Sequence, residues 1–203
     1  MLDRYRSKVE KIINPIAKKI NLEANFLSYL SLLFAFFAGI SAYFSYDFPY
    51  LLLLSSFFLI MNGFLDALDG EIARIKKEAS AKGDFMDHAI DRFSDAFIIG
   101  GIALSQWINK SLGIFSITII FLISYLGTQA QAVGYKRVYS GLLGRADRII
   151  ILFFALIIQF FIRYKLFGFF FMEWVMLYFI FAGLITIFWR YFEIMKWLDE
   201  FDK

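Results

Sequence analysis

The chain has 203 residues, of which 60% are hydrophobic and 21% aromatic, with 27 phenylalanines and a net charge of only +3. A soluble domain of this length does not reach that apolar fraction, so the composition is that of an integral membrane protein, expected to form one domain over residues 1–203. The chain contains no cysteine, which excludes disulfides and thiolate metal sites, and residues 1–25 are too charged to hold the apolar core of a cleavable signal.

In chain order, Leu2, Tyr5, Val9, Ile12, Ile13, Ile16 and Ile20 recur at helical spacing with basic residues between them. The pattern predicts an amphipathic helix over 1–22, lying on the inner membrane surface or packed on the protein's own cytoplasmic face. A membrane helix needs roughly 20 apolar residues. Residues 26–46 supply the first span, ended by "DFP" at 47–49. The second starts at 49, stays apolar to 65 and continues as helix through "DALDGEIARI" to about residue 77. The apolar stretch 96–108 is too short to cross alone, so the third span must begin near Asp84 and carry Asp87 and Asp91 with it. The fourth covers 112–135, the fifth 149–164 and the sixth 166–189. The expected fold is all-α, with six transmembrane helices forming a bundle over 23–203 and an N-terminal interfacial helix. With six spans, both termini and the loops after the second and fourth spans share one side. That side carries most of the Lys and Arg, against only Lys110, Arg163 and Lys165 opposite. Positive residues favour the cytoplasm, which places both termini and the second-to-third connection inside.

The stretch "DALDGEIARIKKEASAKGDFMDHAID" interrupts this apolar chain. The second helix would be roughly 43 Å long at 1.5 Å per residue, against a hydrocarbon core of about 30 Å. Its last turns therefore emerge at the cytoplasmic face with Asp66, Asp69, Gly70 and Ala73 on one side and Arg74 at the edge of that side. On the third helix Asp87 and Asp91 stack one turn apart. Ionised carboxylates cost about 2.5–3.5 kcal/mol each at a bilayer centre, less near the boundary, and repel one another. Hard divalent cations remove both penalties, and an oxygen-only donor set favours Mg²⁺, Mn²⁺ or Ca²⁺ over zinc. Two such ions would form a clamp of the kind used in phosphoryl transfer. Gly70, Ala73 and Gly83 leave room for a ligand near the backbone, and Arg74 suits a phosphate. The bland alternative is a salt-bridge network of the acids with Arg74, Lys76, Lys77 and Arg92.

The same residues, Asp66, Asp69, Gly70, Ala73, Arg74, Gly83, Asp87 and Asp91, match at every fixed position the signature DxxDGxxARx₈GxxxDxxxD. The chain thereby resembles the CDP-alcohol phosphotransferases, and its six-span pattern fits that family over nearly its whole length. A secondary family element before the first span, often Pro-Asn with a downstream Thr or Ser, stands here as Ala24-Asn25 with Ser28. The resemblance implies metal-dependent transfer of a phosphatidyl- or archaetidyl-type group from a CDP-lipid to a polar alcohol, with release of CMP. It implies that Asp66, Asp69, Asp87 and Asp91 surround two Mg²⁺ or Mn²⁺ ions and that Asp91 is also the base for the attacking hydroxyl. It further implies that Gly70, Ala73, Arg74 and Gly83 hold the CDP-lipid. The expected partners are that donor, the alcohol, membrane lipids and a second copy in a homodimer, with no nucleic acid.

Lys136, Arg137, Arg145 and Arg148 face the same side as the acids in this topology, and as a group they suit an anionic acceptor such as a sugar phosphate. Singly, each also fits positive-inside bias and snorkelling. "GLLGRADR" looks like the "ERxER"-type segment of the branch that transfers to inositol 1-phosphate, so that acceptor is expected, with glycerol 3-phosphate as runner-up. His88 is expected to point some 100° away from Asp87 in a structural role. Asp95 continues the Asp87–Asp91 stack, and Arg92 is expected on the other side of that helix in a helix or subunit contact. A cation transporter would want polar residues through the depth of several helices, and spans one, five and six offer few. A purely structural membrane protein is the remaining rival.

Overall fold

In the computed structural model, residues 6–76, 80–136 and 138–201 are described, and side chains over 11–76, 80–136 and 138–200. Leu2, Tyr5, Lys77 and Arg137 lie outside the described residues. Among the described residues seven helices follow one another: α1 (Arg6–Ala17), α2 (Ala24–Phe44), α3 (Leu51–Ile75), α4 (Ala81–Leu104), α5 (Lys110–Ala132), α6 (Arg145–Phe161) and α7 (Phe171–Phe201).

Small residues recur on α2 every three to four positions and form its buried stripe, Ser28, Ser31, Ala35, Ala38 and Ala42. Phe26, Phe36, Phe37 and Phe44 of the same helix are exposed. Where lipid surrounds a bundle, helices associate by close packing rather than by escape from water, and small residues permit it. The tightest approach is between α2 and α4. A Cβ on Gly39 would stand 2.1 Å from the carbonyl oxygen of Phe97, and one on Gly101 would stand 2.1 Å from that of Gly39. On the other flank Ser55 Oγ of α3 donates to the Ala38 carbonyl at 2.9 Å. α2 thus sits between α3 and α4 and sets their spacing.

The opposite end of the bundle is closed by satisfied helix termini. Glu173 accepts from the amides of Asn109 (3.0 Å) and Phe170 (2.8 Å), Gln159 accepts from the Met172 amide, and Trp107 Nε1 donates to Ser45 Oγ at 3.0 Å. Glu173 is therefore a structural group remote from the acids. On α1, Ile13 and Ala17 pack on Leu27, Leu65, Leu68 and Ile72, while Ile12 is 68% exposed. The helix rests on the protein's own face and keeps a second apolar side outward.

Helices α2, α3, α5 and α7 are long and apolar enough to cross a membrane. α4 carries the acids, and α6 has only 17 residues, so neither passes that test. Phe57, Phe93, Phe115, Phe154 and Phe181, on five successive helices, are each more than half exposed, an exterior suited to lipid rather than water. The chain is a multi-pass membrane protein. Each segment expected as a span coincides with one helix from α2 to α7, and four of those helices are long and apolar enough to cross. The last helix differs most: it runs on to Phe201 rather than 189, and it starts at Phe171 rather than 166 because Phe167 (φ 51°) and Gly168 (φ 86°) form a tight turn closed by the Leu166–Phe169 bridge.

Candidate active site

The end of α3 and the start of α4 meet beside the first turns of α2 and α6. Asp69 is 5% exposed, and its Oδ2 accepts from Ser28 Oγ at 2.6 Å. Asp66 Oδ2 accepts from Arg145 Nη1 at 2.6 Å, and the same nitrogen pairs with Asp91 Oδ1. Asp69 and Asp91 each lie in the electrostatic field of both Asp66 and Asp87. All four acids therefore belong to one cluster, and Arg145, the first residue of α6, reaches into it. Asp87 is the most exposed of the four. Asp87, His88 and Asp91 each offer a ligand atom, and these lie within 4.8 Å of one another. His88 thus joins the cluster despite the angle expected between it and Asp87, its Nδ1 lying 3.5 Å from Asp87 Oδ2. The donor set remains dominated by carboxylate oxygen and fits a hard divalent cation.

Of the residues expected at the CDP-lipid, a Cβ added to Gly70 would meet nothing within 4 Å. Packing does not require that glycine, and the space above it is open to a ligand. Ala73 is half-buried on the same helix. Arg74 folds back along α3, its Nε donating to the Gly70 carbonyl at 3.1 Å and its Nη2 lying 3.2 Å from Glu71. Gly83 lies in the first turn of α4, where its amide donates to the Ser80 Oγ cap at 3.1 Å.

The four basic residues of the second cluster part company. Arg145 is inside the acidic site. Arg148 is 3% exposed and pairs with Asp95 at 2.6 Å. Lys136 is exposed, its Nζ 5.6 Å from the centre of the Tyr135 ring, and Arg137 lies outside the described residues. Arg92 departs from expectation: its Nη2 is 3.4 Å from Asp91 Oδ2 and 3.7 Å from Asp95 Oδ2. A long guanidinium side chain spans the angle that separates its Cα from the acidic face. Sequence reasoning also missed Asn62, fully buried one turn before Asp66, whose Nδ2 donates to the Ser31 carbonyl at 2.9 Å. Its signal was present, since a polar residue four before Asp66 shares the face of the acids.

A lipid-facing helical bundle that gathers acids and an arginine at one end suits an integral-membrane phosphotransferase, and the relatives place the chain in that class. The chain belongs to the CDP-alcohol phosphatidyltransferase family, which it matches over residues 21–189. Among curated proteins it is 32% identical over 152 residues to the archaetidylinositol phosphate synthase of Methanothermobacter thermautotrophicus, covering 75% of each chain. It is 32% identical over 158 residues to that of Pyrococcus horikoshii, covering 76% of this chain and 81% of that one. Among solved structures, Mycobacterium tuberculosis phosphatidylinositol phosphate synthase with CDP-DAG bound superposes with a TM-score of 0.72 at 23% identity, over 91% of this chain and 94% of that one. The same enzyme in complex with manganese and citrate gives 0.74 at 20% identity, over 90% and 88%. These two likenesses speak to the fold alone.

Proposed function

We propose that the protein transfers the lipid-phosphate group of a CDP-lipid to inositol 1-phosphate, releasing CMP, at the cytoplasmic face of the membrane. The observation that carries this reading is the convergence of Asp66 and Asp69 from α3 with Asp87 and Asp91 from α4 around Arg145. The similarity to archaetidylinositol phosphate synthases supports the acceptor and an archaeol-type donor, with a diacylglycerol donor as the alternative.

Asp66, Asp69, Asp87 and Asp91 would hold two Mg²⁺ or Mn²⁺ ions, which when bound supply charge neutralisation for the diphosphate. The open backbone at Gly70 and Ala73 admits the cytidine diphosphate, with Gly83 and Arg74 beside it. The acceptor's free hydroxyl attacks the lipid-bearing phosphorus; the new P–O bond forms as the bond to the bridging diphosphate oxygen breaks, and CMP departs with that oxygen. Asp91 takes the hydroxyl proton. Arg145, with Lys136 and, by the topology read from the sequence, Arg137, neutralises the acceptor's phosphate, while Arg148 acts on it only through its neighbours.

The distribution of Lys and Arg supports a six-span topology with both termini in the cytoplasm. The contact between the N-terminal segment and the end of α3, where Asn14 Nδ2 donates to Glu71 and Lys76 Nζ to the Leu22 carbonyl, fits one part of that topology, a shared side for these two segments. The outward side of α1, with Ile12, would lie in the inner leaflet. One domain spans the chain, and it is expected to act as a homodimer. The experiment offers purified protein a CDP-lipid and Mg²⁺ with inositol 1-phosphate, glycerol 3-phosphate, inositol or serine, and identifies the product by mass. A product formed from inositol 1-phosphate supports the assignment. Turnover confined to glycerol 3-phosphate or a neutral alcohol would contradict it.

A further inference from the structure

One turn deeper than Asp91, a second charged pair lies behind the site. Asp95 (6% exposed) and Arg148 (3% exposed) are joined at 2.6 Å, among the most enclosed ionised groups described. Asp91 and Asp95 are four apart on α4, and Arg145 and Arg148 are three apart on α6, so the pairs form two rungs between the same two helices. The outer rung is the site itself. Arg92 links the rungs on the α4 side, within 3.4 Å of Asp91 and 3.7 Å of Asp95.

The inner rung answers a mechanical difficulty. Arg145 is the first residue of α6, and first turns fray unless something ties them down. Two ties are present: Asp147 Oδ2 accepts from the Gly144 amide at 2.9 Å, and Arg148 is held by Asp95. The cap fixes the local backbone of α6. The ion pair fixes α6 to α4, the helix that carries Asp87 and Asp91, one turn behind the contact that Arg145 itself makes with Asp91. Stability alone does not call for an ion pair here, because apolar residues of similar volume often replace a buried pair at no loss.

We infer that Asp95 and Arg148 are positioning residues, a buried pair that fixes Arg145 and Asp91 relative to each other and to the acceptor. The inference rests on the proposed transferase reading for its kinetic arm. The test is the double variant Asp95→Leu/Arg148→Met, which removes one charge of each sign and leaves the net charge unchanged. Its thermal stability in detergent should equal or exceed the parent's. Its acceptor KM should rise and its Mn²⁺ affinity, followed by electron paramagnetic resonance titration, should fall, each by about tenfold, the lower end of what loss of a ligand's supporting partner does. Donor KM should stay within about twofold, since the pair touches no donor residue. A stable variant with parental acceptor KM and Mn²⁺ affinity would overturn the inference, as would lowered stability with unchanged kinetics and binding. If the double variant does not fold, Arg148→Lys, which keeps the charge and loses the planar fork, is read by the same criteria. A parent protein inactive with every CDP-lipid and alcohol would sink the transferase reading instead, and the Mn²⁺ titration alone would then decide the role of the pair.

Discussion

Three of the four acids are held from another helix, and Asp87 and Asp91 also have neighbours within α4. Ser28 of α2 holds Asp69, Arg145 of α6 spans Asp66 and Asp91, and Arg92 steadies the second oxygen of Asp91. Asp91→Asn should lower turnover by about 10²–10⁴-fold if general-base action alone is lost, with donor KM unchanged in a donor titration. Gly70→Ala isolates the ligand's claim on backbone space. It should leave the melting temperature as it is, because nothing lies within 4 Å of the added Cβ. Losing one close backbone contact of about 1–1.5 kcal/mol would raise donor KM roughly tenfold. The acids themselves were legible because three- and four-residue spacing is a within-helix property. Ser28 was visible only as part of a secondary match, and the reach of Arg92 from its own side of α4 back to the acids was not foreseen. Contacts between helices, and the reach of a guanidinium beyond its own Cα direction, leave no periodic trace.

At the level of helices, α2 acts as the gauge that sets the distance between α3 and α4, and so between the two pairs of acids. Its stripe of small residues needs Gly39 where α4 passes. Gly39→Ala would place a Cβ 2.1 Å from a backbone carbonyl, which cannot rotate away. Overpacking of this kind costs about 1–3 kcal/mol and here would also separate Asp69 from Asp91. Thermal unfolding in detergent and Mg²⁺-dependent turnover should fall together, whereas Gly70→Ala leaves the first untouched. Most helices could be read from apolar length alone. α4 could not, since its apolar part is too short and it becomes a helix of span length only when its acids are counted in. The start of α7 escaped because a turn with positive φ at Phe167 is set by local backbone geometry that aromatic residues do not announce.

For the whole molecule, the asymmetry of charge predicts which end faces the cytoplasm. The chain has no cysteine, so single cysteines report cleanly. With a membrane-impermeant thiol reagent on sealed cells, Lys165→Cys should label from outside, and Lys196→Cys only after permeabilisation. Labelling of both from the same face would contradict the six-span arrangement. The central claim, however, is that the carboxylates of α3 and α4 carry out divalent-metal-dependent transfer from a CDP-lipid. CMP release tests it most directly, with protein stripped of metal by chelation, Mg²⁺ or Mn²⁺ titrated back, and the parent run beside Asp69→Asn. The parent should release CMP only when a divalent cation and an acceptor alcohol are both present, and folded Asp69→Asn should release none. Release that persists in excess chelator, or parental turnover by Asp69→Asn, would contradict the account.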